Sequence, residues 1–75
     1  MEIDFIAQKE GALNYIQVSL SVRDEATLKR ELRPLLAVKD NFPKTLITLD
    51  NAPVIYHDGI KQIYAIDFLN GESLL

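Results

Sequence analysis

A small α/β (α+β) domain built on a mixed β-sheet is the fold predicted by this 75-residue sequence. Three observations predict it. Residues 2–22, EIDFIAQKEGALNYIQVSLSV, form two runs of alternating character joined by Glu10-Gly11. From Asp24 the apolar spacing changes to that of one helical face, with Leu28, Leu32, Leu35 and Leu36. After a polar break the chain enters KTLITLD, residues 44–50, too crowded with apolar residues for a strand with a solvated face.

In the first run Ile3, Phe5 and Ala7 alternate with Glu2, Asp4 and Gln8; in the second Ile16, Val18, Leu20 and Val22 alternate with Tyr15, Gln17, Ser19 and Ser21. Period-two alternation is the mark of a half-buried strand. With Glu10-Gly11 as a two-residue turn, Lys9 pairs with Ala12 and the antiparallel ladder sets Phe5 opposite Ile16 and Asp4 opposite Gln17. A three-residue bulged loop would shift this pairing by one and oppose Asp4 to Ile16, so the hydrophobic pattern selects the two-residue turn.

Asp24 and Glu25 suit a helix start, where the macrodipole favours negative charge. Pro34 removes the bond to the carbonyl of Arg30, so the expected helix covers about 24–33, with a kink or a further turn to about Lys39. DNFP, residues 40–43, reads as a loop. The 44–50 run reads as a central strand, which the helix lays parallel to the second strand as a crossover. Asp58-Gly59 marks a second hairpin between Val54–His57 and Ile60–Ile66, and Asp67 is expected to cap a short final turn through Asn70.

Bulk properties narrow the function. At this size a domain buries about 60% of the surface its unfolded chain exposes, so its stability is expected to be marginal. Eight Lys and Arg against eleven Asp and Glu give a formal charge of −3, which argues against a dominant phosphate-binding surface. The absence of Cys excludes a disulfide framework and thiolate metal sites. The apolar runs are far shorter than the ~20 residues of a membrane span, and a cytoplasmic protein is expected.

Taken in order, EIDFIAQK, YIQVSLSV, DEATLKRELRPLLAVKD, PKTLITLD and DGIKQIYAIDFL resemble the C-terminal domain of a large prokaryotic family of AAA+ ATPases, whose last domain is similar to the restriction-endonuclease-like, PD-(D/E)xK-type fold. The resemblance covers nearly the whole chain. It implies a partial nuclease-like fold that begins at the Asp-bearing strand, without the helix and strand that normally precede it, and hence an excised C-terminal piece of a larger ATPase. No G-x-x-x-x-G-K-[ST] occurs here, so ATP binding is not carried over.

Active members of such a fold place Asp on one strand and (Asp/Glu)-x-Lys on the next, so that two carboxylates hold Mg²⁺ and the lysine assists the attack of water. Asp4 matches the first position, while Gln17 and Ser19 stand at the other two. The expectation is a relic site without catalytic residues or cofactor; the bland alternative is a solvated sheet face. Glu2 is a conceivable migrated ligand, yet it does not replace the lysine. His57, the sole histidine, reads as an exposed turn residue, and Lys29, Arg30 and Arg33 as a solvated helix face interrupted by Glu31. Tyr15, Tyr56 and Tyr64 fall on separate strands and make no stacking platform. The expected role is a non-catalytic interaction or specificity module. Its partners would be the parent ATPase or another protein, with weak homo-association from an exposed first strand. The alternatives are a residual Mg²⁺-dependent nuclease and a DNA-binding module without cleavage.

Overall fold

The structure, a computed structural model, describes residues 3–71. Strands β1 (Phe5–Lys9) and β2 (Ala12–Ser19) form the N-terminal hairpin, and helix α1 (Glu25–Leu36) leads to β3 (Lys44–Thr48). Strands β4 (Ile55–His57) and β5 (Ile60–Tyr64) form the second hairpin, followed by α2 (Ala65–Leu69). These strands lie in one sheet of order β1-β2-β3-β5-β4. The outer pairs β1/β2 and β4/β5 are antiparallel, and β2/β3 and β3/β5 are parallel. The mixed sheet with two hairpins and a crossover helix is the predicted class.

The first hairpin has the two-residue turn. Glu10 and Gly11 have φ of 52° and 84°, Lys9 pairs with Ala12 and Phe5 with Ile16. Positive φ at both turn positions matches the right-handed twist of the flanking strands, and Asp58-Gly59 repeats the arrangement with φ of 50° and 84°. Glycine takes that geometry without a steric penalty.

Helix α1 starts at its cap. Asp24 accepts from the Thr27 backbone N–H and hydroxyl, both at 3.0 Å, which satisfies a donor that the first turn leaves open. Its course corrects the sequence expectation at the other end. The helix runs unbroken through Pro34 to Leu36; it gives up the bond to the Arg30 carbonyl, and the continuation carries Leu35 into the core with no exposed surface. At the C-terminus β5 stops at Tyr64 rather than Ile66. Helix α2 starts directly at Ala65, with Tyr64 as its cap residue and Asp67 inside the first turn.

The core has two parts, one on each face of the sheet. On the α1 face Leu32 and Leu35 pack on Val22, Leu46 and Ile60, with Leu28, Ile3 and Tyr15 around them. On the other face Ile16, Ile47 and Ile63 are covered by Ala65 and Phe68 beside Ala7. Strand β3 lies in the middle of the sheet and contributes to both, as its crowded sequence predicts. The alternation in β2 misleads about which face is solvated. The longer helix lies over the Tyr15 and Gln17 face, where Gln17 is only 7% exposed, while Val18 and Leu20 on the nominally apolar face are largely open. Strand β2 is therefore a two-sided strand whose polar positions are under a helix.

Candidate functional site

The antiparallel ladder stops at Phe5, and beyond it, toward the N-terminus, side chains interlock in place of further backbone pairing. The Asp4 backbone N–H donates to Gln17 Oε1 at 3.1 Å, and the Val18 backbone N–H donates to Asp4 Oδ2 at 3.0 Å. Asp4 thus takes over the acceptor role that a continued β1 would supply, and Gln17 receives the displaced donor. From the same amide, Gln17 Nε2 donates to Glu31 Oε1 at 3.4 Å, joining the sheet to α1. Glu31 is also 3.9 Å from Arg30 Nε. Asp4, Gln17 and Glu31 form a polar chain from the sheet edge to the helix.

The structure brings Asp4 and Gln17 together, as the counted register requires. Ser19 is not tied to either of them: its hydroxyl donates to the Ser21 carbonyl at 3.1 Å. Glu2 lies outside the described residues. Glu31 is the participant that sequence reasoning misses, because in the chain it reads only as an interruption of a basic stripe. Its position three residues after Leu28 and one before Leu32 places it at the border of the buried helical face, and that spacing is the signal that could have found it. As a donor set for Mg²⁺ the arrangement is poor. It offers one carboxylate and a neutral amide, with an oxygen of each already accepting a backbone N–H, and no cation stands at Ser19. Among the described residues no group of three or more His, Asp or Glu is placed to hold a metal ion.

A second polar cluster lies at the C-terminal ends of β2 and β3. Buried Asp50 accepts from the Val22 backbone N–H at 2.8 Å and the Ser21 hydroxyl at 2.7 Å, and pairs with Arg23 Nε at 3.2 Å. Its carboxyl is held below the usual value, first by the Val22 N–H, then by the Ser21 hydroxyl, with Arg23 adding to them and burial opposing. In open α/β sheets ligands gather beyond the carboxyl ends of parallel strands. Here Asp50 instead closes that end, fixing the β2–α1 connection to β3.

At the opposite end the Tyr15 hydroxyl donates to Asp40 Oδ2 at 2.5 Å, and Lys44 Nζ donates to Asp40 Oδ1 at 3.2 Å while lying 5.5 Å from the centre of the Tyr15 ring. The Asp40 carboxyl is lowered mainly by the Tyr15 hydroxyl, and the Tyr15 phenol is raised mainly by that same bond. Lys44 also donates to the Asp40 and Phe42 carbonyls, both at 2.9 Å. This cluster staples the loop before β3, with each polar group engaged by another.

The remaining candidates separate. His57 is half-buried at the end of β4, correcting the exposed-turn expectation, and its Nε2 lies 2.7 Å from Gln62 Oε1. Lys29 and Arg33 border a groove of about 510 Å³ with Leu28, Leu32, Leu36 and His57. Lys29 is paired with Glu25 at 3.3 Å and Arg30 turns toward Glu31, so the three cations do not form one stripe. Tyr15, Tyr56 and Tyr64 lie on β2, β4 and β5.

The fold and its polar sites define a small mixed α+β protein with a five-stranded sheet, in which two acidic side chains, Asp4 and Asp50, hold strand ends in place. Over 68 residues, 91% of this chain, it is 40% identical to an uncharacterised protein of Haemophilus influenzae, and the match spans 16% of that protein. No family model and no solved structure matches the chain. No helix among the described residues is long and apolar enough to cross a membrane.

Proposed function

We propose that this chain is a non-catalytic interaction or specificity module of a larger AAA+-type ATPase, a nuclease-like domain whose metal site has been converted into a structural interlock. The observation that carries the first half is the exchange between Asp4 and Gln17. The Asp that would hold a metal accepts the Val18 N–H, and the residue at the second ligand position is an amide that accepts the Asp4 N–H and donates to Glu31. An amide can both donate and accept, whereas a carboxylate here would face Glu31 with like charge. Gln17 is therefore suited to the interlock in the way that a glutamate is not. The ATPase half rests on the sequence resemblance, and the longer relative, in which the matched segment is 16% of the length, is compatible with it.

The nuclease alternative is separated by Mg²⁺. The native domain is expected to leave duplex and branched DNA intact with Mg²⁺ present, and metal-dependent cleavage abolished by Asp4→Ala would overturn the reading. Converting Gln17→Glu together with Ser19→Lys rebuilds the ligand pair and the cation. The variant is expected to unfold in less urea than the native chain without metal, because Glu31 and the new carboxylate repel, and to regain stability as Mg²⁺ is added. A variant indifferent to Mg²⁺ would show that positions 4, 17 and 19 do not converge on a metal site. The ATPase reading has its own test: a phosphate-binding loop encoded in frame upstream is expected, and its absence would remove that half. Salt-dependent DNA binding without cleavage would favour the DNA-binding alternative.

A further inference from the structure

We infer that β1 is a homotypic pairing edge, and that two copies of this chain join their sheets antiparallel about a two-fold axis at Ile6. This stands on the geometry of the edge in this chain. Among the described residues β1 ends the sheet, and α1 and α2 pack mainly on β2, β3 and β5. Its most apolar residues are open, Phe5 at 61% and Ile6 at 58% exposure. The opposite edge is shorter: β4 has three residues and follows Pro53, whereas β1 has five.

The hairpin determines which backbone groups are available. In a two-residue turn the closing pair, Lys9 and Ala12, exchanges both hydrogen bonds, and bonded pairs then alternate along the ladder. Lys9, Ala7 and Phe5 therefore direct their N–H and C=O groups to β2, and Ile6 and Gln8 direct theirs outward. A two-fold axis perpendicular to the sheet keeps each residue on its own face, so a second copy can pair in few registers. Centred on Ile6, the two Ile6 side chains meet on the α1 face and Phe5 lies opposite Ala7 on the other. Centred on Ala7, Phe5 is opposed to Lys9 and Ile6 to Gln8, apolar against polar on both faces. Within β1 the Ile6 register matches apolar with apolar on both faces, and cross-strand pairs of this kind are what stabilise a sheet. With one short strand on each side and a net charge of −3 per chain, the association is weak and concentration-dependent.

The chain has no cysteine, so single thiols report the register cleanly. In the Ile6 register Ile6→Cys places two thiols on a bonded pair with Cα atoms about 5.5 Å apart, within disulfide range, whereas Ala7→Cys and Gln8→Cys place theirs beyond about 7 Å. Under a glutathione redox buffer, Ile6→Cys is expected to give the dominant disulfide-linked dimer. Sedimentation of the native chain should shift from monomer toward dimer mass as concentration rises, and Ile6→Lys, at an exposed position, should stay folded and monomeric. A monomer mass at every concentration overturns the proposal, as does preferential crosslinking through Ala7→Cys or Gln8→Cys. Dimerisation that survives Ile6→Lys places the interface elsewhere and equally overturns it.

Discussion

Leu35→Ala is expected to destabilise the fold by about 2–5 kcal/mol, the range for deleting a fully buried leucine side chain and leaving a cavity. Leu35 has no exposed surface, and it packs with Leu32 against Val22, Leu46 and Ile60, so it joins the helix to β3 and to β5. A natural domain has only about 5–15 kcal/mol in total, and one of this size is expected near the bottom of that range. The variant should therefore show a urea midpoint far below that of the native chain, or fail to fold. Lys29→Ala on the same helix removes an exposed side chain whose pair with Glu25 is exposed on both sides, and its midpoint should be almost unchanged. Equal midpoints for the two variants would show that α1 does not present Leu35 to the sheet.

The second large effect belongs to Asp50. Asp50→Ala deprives the Val22 N–H, the Ser21 hydroxyl and Arg23 of their common acceptor, and it frees the β2–α1 connection from the end of β3. A donor left unsatisfied in a buried setting costs more than the hydrogen bond itself contributed. Unfolding in less urea at neutral pH is the expected result, with Asp50→Asn intermediate because an amide retains an acceptor but not the charge. The same carboxylate determines an acid dependence. Its folded pKa is depressed, so its contribution is complete above the unfolded value of about 3.9 and is lost as pH falls through the lower, folded value. Asp40 is lowered as well and acts in the same sense. Urea midpoints followed from pH 6 downward, over a range of about four units, should therefore fall less steeply in Asp50→Asn than in the native chain. Parallel curves would mean that Asp50 titrates alike in the folded and unfolded states.

Where local chemistry decides the outcome, the sequence reads correctly. Glu10-Gly11 and Asp58-Gly59 require φ values that few other pairs adopt, so both hairpins and the Phe5–Ile16 register are legible in the chain. Asp24 caps α1 because its carboxylate reaches the first-turn N–H groups within three residues. The errors lie where a local rule meets a packing partner. Pro34 interrupts a helix in isolation, yet here the helix continues past it and buries Leu35. The strand pattern of β5 extends to Ile66, but Ala65 and Phe68 gain more by folding back over Ile16, Ile47 and Ile63.

The candidate site divides in the same way. Turn chemistry and side-chain periodicity act within a few residues, so the chain alone specifies a mixed sheet with two hairpins, a crossover helix and a central two-sided strand, and it sets Asp4 opposite Gln17. Packing at long range decides that α1 covers the polar face of β2, that Glu31 completes the chain with Gln17, and that Asp50 secures the Ser21–Arg23 connection from 27–29 positions away. Alternation reports that a strand has two unlike faces but not which of them a helix will cover. That choice depends on the summed burial of residues distant in the chain, and a short polar side chain acquires its meaning only from the groups that packing brings within hydrogen-bond reach.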